Sequence, residues 1–213
     1  MNKILLIDGH SILNRAFYGV PPLTNFEGLH TNAVYGFINI MLKSLEDEHA
    51  DYIAVAFDLK APTFRHEMFA EYKGTRKPMP QELHEQVPVI KEVLAAMTIP
   101  VITLEGYEAD DILGTLAKRC QRDGFEVSIL SGDRDLLQLA DEHIKIRMPK
   151  TVKGQTSIEN YYPSDVIDKY QVTPEEFIDL KALMGDSSDN IPGVPGIGEK
   201  TATAIITKYK SIE

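Results

Sequence analysis

A single cysteine, Cys120, excludes a disulfide framework, and no apolar run approaches the roughly 20 residues that a membrane-spanning helix needs. The opening residues carry no signal-peptide pattern, so the expectation is a cytoplasmic protein in a reducing setting, with no membrane partner. Nucleophilic side-chain catalysis also lacks its parts. His10, His30, His49, His66, His84 and His143 are scattered without metal-ligand spacing, no Ser-His-Asp arrangement is suggested, and Cys120 has no base near it in sequence. No dinucleotide-binding or P-loop pattern falls at a strand–turn–helix junction, and there is no internal repeat or low-complexity tract. Positive charge is scarce: 22 Lys and Arg against 32 Asp and Glu leave a formal net charge of −10, the opposite of the usual nucleic-acid binder. What remains is an ordinary globular composition, 43% hydrophobic and 25% charged over 213 residues, enough for one large domain or one domain with a small appendage.

The acids are placed unevenly. Residues 3–7 form an apolar run that ends on Asp8, and residues 52–57 form another that ends on Asp58. Residues 100–104 are followed by Glu108, Asp110 and Asp111, and residues 126–130 lead into Asp133 and Asp135. Runs this apolar, separated by helical patterns, read as buried strands of a mainly parallel sheet with helices between them. Such sheets bind ligands beyond the carboxyl ends of their strands, so the acids gather at one edge. Carboxylates in that number repel each other unless cations neutralise them, and hard divalent ions are the natural match for oxygen donors. Each acid also has a plainer reading. Glu108, Asp110 and Asp111 complement the dipole of a helix start, and Asp133 and Asp135 suit a turn.

The intervening pattern supports that layout. A short helix is expected over residues 11–18, then a helix capped by Thr31 or Asn32 that carries Val34, Phe37, Met41 and Leu45 inward. A helix from Pro80 to Met97 is bent or divided by Pro88, and another opens at Glu108. A strand is expected over residues 144–148, and Thr173-Pro174-Glu175-Glu176 reads as a capping box. Residues 59–79 give no clean core element but reverse the charge balance: Lys60, Arg65, Lys73, Arg76 and Lys77 face only Glu67 and Glu71. A basic segment beside an acidic cleft suits a phosphodiester, though a solvated surface explains it equally simply. In the tail, Asp186 and Asp189 read as turn residues unless that loop folds back to the sheet edge. Gly193, Gly196 and Gly198 followed by Lys200 form either a plain helix connector or a hairpin that offers backbone N–H groups to phosphate.

Together these blocks closely resemble the 5′ nuclease domains of bacterial DNA polymerase I, within the flap endonuclease family. The resemblance rests on Leu6-Ile7-Asp8-Gly9, Ala56-Phe57-Asp58, Thr63-Phe64-Arg65-His66-Glu67, Tyr72-Lys73-Gly74, Gly106-Tyr107-Glu108-Ala109-Asp110-Asp111, Ser131-Gly132-Asp133-Arg134-Asp135 and the run 185–202. It implies a PIN-like α/β core over residues 1–160 with a helical arch at about 60–80, and a helix-hairpin-helix region over 161–213. It further implies two metal sites, Asp8, Asp58, Glu108, Asp110 and Asp111 forming the first and Asp133, Asp135, Asp186 and Asp189 the second, with some acids shared and some acting through water. Two Mg²⁺ ions are the implied cofactors, with Mn²⁺ as a substitute and K⁺ at the hairpin. Lys73 and Arg76 fall where the family places catalytic cations, while Arg15, Arg65, Tyr72, Gly193, Gly196, Gly198 and Lys200 are implied DNA contacts. Phe17 and Tyr18 join Tyr72 as candidates to stack on bases, with core packing as the plainer reading of each.

The expected function is therefore structure-specific, metal-dependent hydrolysis of DNA at 5′ ends, flaps or junctions, by a monomer. The family's domain continues into further helices and, in polymerase I, a polymerase region in cis, so the chain reads as a fragment. A non-catalytic DNA-structure-binding module and a PIN-type ribonuclease are the rival readings.

Overall fold

The computed structural model describes residues 1–152 and 155–213. Among the described residues the strands β1 (Lys3–Asp8), β2 (Tyr52–Ala56), β3 (Val101–Ile102), β4 (Glu126–Leu130), β5 (Ile144–Val152) and β6 (Gln155–Tyr161) form one six-stranded sheet in the order β3-β2-β1-β4-β5-β6. Every neighbouring pair is parallel except β5 and β6. The expected mainly parallel sheet is present. The antiparallel strand β6 escaped the sequence because its residues are mostly polar; at this edge position Ile158 and Tyr161 turn to opposite faces and the others need not be apolar.

Alternation along β1 explains why helices cover both faces. Leu5 and Ile7 pack with α1 (Gly9–Gly19), α2 (Asn32–Glu48) and a later helix over Gln86–Ala96, whereas Leu6 points the other way; all three are fully buried. Three more helices of that first half follow in order: α3 (Phe64–Met68), α4 (Gln81–His84) and α5 (Gln86–Ala96). The second face is covered by α6 (Ala109–Arg122), a 3-10 helix over Arg134–Leu139, α7 (Pro163–Tyr170), α8 (Pro174–Met184) and α9 (Glu199–Tyr209). From β1 the chain winds outward through β2 and β3, then crosses back to place β4 on the other side of β1. The connections leaving β1 and β4 diverge there, and a crevice opens beyond their carboxyl ends.

Three local outcomes differ in detail from the sequence reading. Pro88 does divide its helix, but gently: Glu85 separates α4 from α5 while keeping helical backbone angles (φ −65°, ψ −25°). Thr31 stands at the N-cap of α2 without a side-chain cap bond, and Asn32 is buried, donating to the Phe17 carbonyl at 2.9 Å. The cap comes from far away in sequence. Gln86, fully buried, accepts from the N–H groups of Ala33 (2.8 Å) and Val34 (3.2 Å) and donates to Asn32 Oδ1 and the Glu82 carbonyl. The segment expected to arch, finally, contains only the short helix α3 and a series of turns, and it lies down on the tail: the Lys73 N–H donates to the Asp189 carbonyl at 2.8 Å, and Asn190 Nδ2 to the Glu71 carbonyl at 2.8 Å.

Replacing Gln86 by Leu removes the acceptor for the buried α2 N–H groups. Equilibrium urea unfolding should show a loss on the order of 3 kcal/mol; a change below about 0.5 kcal/mol, the scale of a neutral surface substitution, would mean that α2 does not depend on this cap.

Candidate active site

Beyond the carboxyl ends of β1, β2 and β4 lies a cleft of about 250 Å³, lined by Asp8, Asp58, Asp110 and Asp133 and faced by His10, Ser11 and Asn14 of α1. Each acid is set by its element. Asp8 ends β1 and caps α1, accepting from the Ser11 N–H (3.0 Å) and from Ser131 Oγ (2.8 Å). Asp58 accepts from the Ala109 N–H at 2.8 Å and meets His10 Nδ1 at 3.2 Å. Asp133 caps the 3-10 helix through the Asp135 N–H at 2.9 Å. Asp110 stands in the first turn of α6 and, among the described residues, accepts no hydrogen bond.

The electrostatics record the crowding. Burial pushes the Asp8 carboxyl up to about 6, and the charges of Asp58 and Asp133 add to that against the hydrogen bonds from Ser11 and Ser131. Asp110 is raised well above the ordinary carboxylate range, first by desolvation and then by Asp8, Asp133 and Asp58. Asp58 goes the other way, to about 2: burial opposes ionisation but is outweighed by the His10 contact, the Ala109 N–H and the charge of Lys73. An all-oxygen donor set in which neighbouring charges help to raise Asp8 and Asp110 fits a hard divalent cation, which relieves the repulsion. The fit lies in donor chemistry and converging charge. As placed, no three Asp, Glu, His or Cys side chains among the described residues close tightly enough on one point to enclose an ion without movement.

The remaining acids are held by cations of the protein. Arg65 clasps Asp111 with two bonds of 2.8 Å. Lys73 Nζ donates to Glu108 at 2.7 Å, and Tyr72 OH lies within hydrogen-bond reach of both Glu108 (2.9 Å) and Asp189 (3.0 Å). Arg76 binds Asp189, and Lys181 bridges Asp135 (3.0 Å) and Asp186 (2.6 Å). Lys181 and Ser188 hold Asp186 down at about 2 although burial opposes it, while burial leaves Asp135 raised.

The two clusters implied by the resemblance are thus regrouped. Asp133 falls with Asp8, Asp58 and Asp110, and Asp111 turns away to Arg65, because adjacent residues on a helix point about 100° apart. Asp189 lies over the cleft on the 59–79 segment rather than beside Asp135. The tail does fold back to the sheet edge, as the functional reading of Asp186 and Asp189 required.

Among the implied DNA contacts, Tyr72 is only 5% exposed, so its ring is not available to stack on a base. Arg65 is engaged by Asp111. Arg15 lines a different hollow, between α1 and α2, since it sits round the helix from Asn14. Gly193 serves the loop itself: a Cβ there would meet the Met184 carbonyl carbon at 2.3 Å, so its role is close backbone approach to Gly185. Gly198 and Lys200, at the start of α9, do line an open hollow of about 770 Å³ with Lys169, and Gly196 makes the preceding turn at φ +80°. Of the stacking candidates, Tyr18 is 71% exposed while Phe17 packs against the core. Sequence reasoning missed Lys181, for which a lone lysine in a helix gave no signal. It also missed His10 and Asn14, whose spacing of four directly after Asp8 does mark a polar stripe on an otherwise apolar helix.

The family described as 5′-3′ exonuclease, N-terminal resolvase-like domain, matches residues 3–171, and the one described as 5′-3′ exonuclease, C-terminal SAM fold, matches residues 172–213. DNA polymerase I of Bacillus caldotenax is 54% identical over 211 residues, 99% of this chain but 24% of its own length; DNA polymerase I of Bacillus subtilis is 54% identical with the same coverage. The chain therefore spans about a quarter of the length of these relatives. Among solved structures, a T5 5′-exonuclease with divalent zinc ions bound is 26% identical with a TM-score of 0.77, covering 99% of this chain and 76% of that one.

If the inner acids are crowded as described, Asp110→Asn removes one repelling charge without removing a hydrogen bond. In EDTA at neutral pH the variant should unfold at a higher urea concentration than the parent. A lower midpoint would show that the Asp110 charge is compensated within the protein.

Proposed function

The chain belongs to the 5′-3′ exonuclease family, and on that premise we propose that it hydrolyses DNA phosphodiesters at free 5′ ends and 5′ flaps, in replication and repair. The observation that carries this reading is the convergence of Asp8, Asp58, Asp110 and Asp133 on one cleft that Lys73 and Arg76 also line. Two Mg²⁺ ions, or Mn²⁺ in their place, would supply there the Lewis acidity that makes water nucleophilic near neutral pH and would offset charge on the leaving oxygen. Asp8, Asp58, Asp110 and Asp133 would be the donors for such ions, and Asp135 and Asp186, now bridged by Lys181, would be the further donors.

Lys73 and Arg76 act on the phosphate. Their cationic heads rest on Glu108 and Asp189, so a DNA phosphate reaching the cleft exchanges one charge-assisted hydrogen bond for another and places positive charge where the transition state gathers negative charge. His10 holds Asp58 on the inner wall, which Asn14 also lines. At the far end, the N-terminus of α9 with Lys200 and Lys169 suits duplex backbone, which positions DNA without reading its sequence, and K⁺ suits the hairpin before it. Selectivity then rests on the form of the DNA end. The length relation to DNA polymerase I supports a polymerase region in cis in the whole protein.

A labelled 5′-flap duplex tests the reading directly. The parent should release the flap in Mg²⁺ and not in EDTA, Asp8→Ala should abolish release, and Lys73→Ala should lower kcat by roughly 100-fold or more. Flap binding without turnover by the parent would instead leave a binding module, and equal cleavage of an RNA flap would favour the ribonuclease.

A further inference from the structure

Next to the acid cleft, sharing Asp58 and Lys73 with it, lies a larger recess of about 620 Å³ whose outer wall the proposed chemistry does not use. That wall carries Lys60, Lys77, His66 and Tyr107. The basic residues of this segment divide into two groups. Arg65, Lys73 and Arg76 are each paired with a carboxylate, whereas Lys60 and Lys77 form no ion pair among the described residues. The uncompensated positive charge of the segment therefore faces the recess. His66 adds a donor: its Nδ1 accepts from the Thr63 N–H at 3.1 Å, so the neutral ring carries its proton on Nε2.

Tyr107 differs from Tyr72. It is 49% exposed against 5%, yet it is rigidly presented. Gly106, at φ +83°, allows the turn in which the Tyr107 N–H donates to the Leu104 carbonyl at 3.3 Å, and the Gly106 carbonyl accepts from the Phe64 N–H at 3.2 Å. The Phe64 ring then backs Tyr107 at 5.9 Å between centroids, and the Arg65 guanidinium lies 4.6 Å over Phe64. An aromatic face held open to solvent by its neighbours loses little freedom when a base stacks on it. Its position is one residue before Glu108, at the rim of the acid cleft.

We infer that this recess seats the nucleotide on the 5′ side of the scissile phosphate, with its base stacked on Tyr107 and its own phosphate between Lys60 and Lys77. The assignment rests on the nuclease reading for where the scissile phosphate sits. A volume of about 620 Å³ lies within the range of small-molecule clefts and takes one nucleotide with solvent to spare. Stacking accepts any base, which suits an enzyme that selects the form of a DNA end rather than its sequence.

The test is a flap duplex carrying 2-aminopurine at the nucleotide 5′ of the junction, titrated with protein in EDTA so that no bond is cut, with cleavage in Mg²⁺ followed in parallel. The parent should quench the probe. Tyr107→Ala should lose the quench and bind the flap roughly tenfold more weakly, Tyr107→Phe should retain both, and Lys60→Ala with Lys77→Ala should flatten the salt dependence of flap binding by a slope of about 2. A duplex without a flap should bind all of these proteins equally. The inference is overturned if Tyr107→Ala quenches like the parent, or if its binding loss is as large on the flapless duplex. The two readings separate cleanly: a parent that cuts flaps without quenching sinks the nucleotide seat alone, whereas one that quenches without cutting sinks the nuclease and leaves the seat.

Discussion

Carboxylates at the end of a buried parallel sheet repel one another through a medium far less polarisable than water, and Asp8, Asp58, Asp110 and Asp133 cannot move apart to escape it. Backbone and hydroxyl donors hold three of them. Asp8 is fixed by Ser11 and Ser131, Asp58 by Ala109, and Asp133 by the start of its own 3-10 helix. The Ser131 that holds Asp8 is itself tied across the sheet, its N–H donating to the Arg147 carbonyl at 3.1 Å. Much of what surrounds the cleft can be understood as a response to this crowding. Moving outward, each further acid acquires a cation: Asp111 has Arg65, Glu108 has Lys73, Asp189 has Arg76, and Asp135 and Asp186 share Lys181. The inner acids stay uncompensated by lysine or arginine contact, and there a divalent ion gains most.

The same arrangement explains how a chain of net charge −10 could offer positive charge to the DNA proposed as its substrate. The acids around the cleft are sequestered, either crowded within it or paired at its rim, while Lys60, Lys77 and Lys200 remain without carboxylate partners among the described residues and line open hollows. Local sign, at distances within the screening length of physiological salt, decides what a phosphate meets. The total does not.

How much of this was legible in the sequence depended on the range of the interaction. The acid-ended strands β1, β2 and β4 were legible because parallel strands buried on both faces must be continuously apolar, and each of these runs stops at a polar turn. The Thr173–Glu176 capping box was legible for a similar reason: its partners lie three residues apart, and both bonds form. Partners far apart in sequence were not legible. Gln86 caps a helix that begins 54 residues earlier, and Arg65 reaches Asp111 across 46. The placement of single acids within the site was not legible for that reason. Asp110 and Asp111 are neighbours in sequence, yet Asp110 faces the cleft while Asp111 turns to Arg65.

The 59–79 segment brings these strands of argument together. Its cations hold the segment down through pairs of unequal strength. Arg76 is 48% exposed on its side chain, and an ion pair so open to solvent stabilises little. Lys73 is 22% exposed and bonded to a Glu108 carboxylate that is 10% exposed, with the backbone N–H of Lys73 anchored on Asp189 as well. Removing one partner of such a half-buried pair leaves the other poorly solvated, so Lys73 leaves Glu108 only for an equally good acceptor. Lys73 also sits at φ +56°, in the left-handed region that a lysine adopts only when its surroundings demand it. On the proposed function, a phosphate entering the cleft would meet Arg76 first, as the more readily exchanged contact, and Lys73 last, once a phosphate oxygen lay close enough to replace Glu108. That order follows from burial alone, and it ties the cation nearest the inner acids to a substrate already in place.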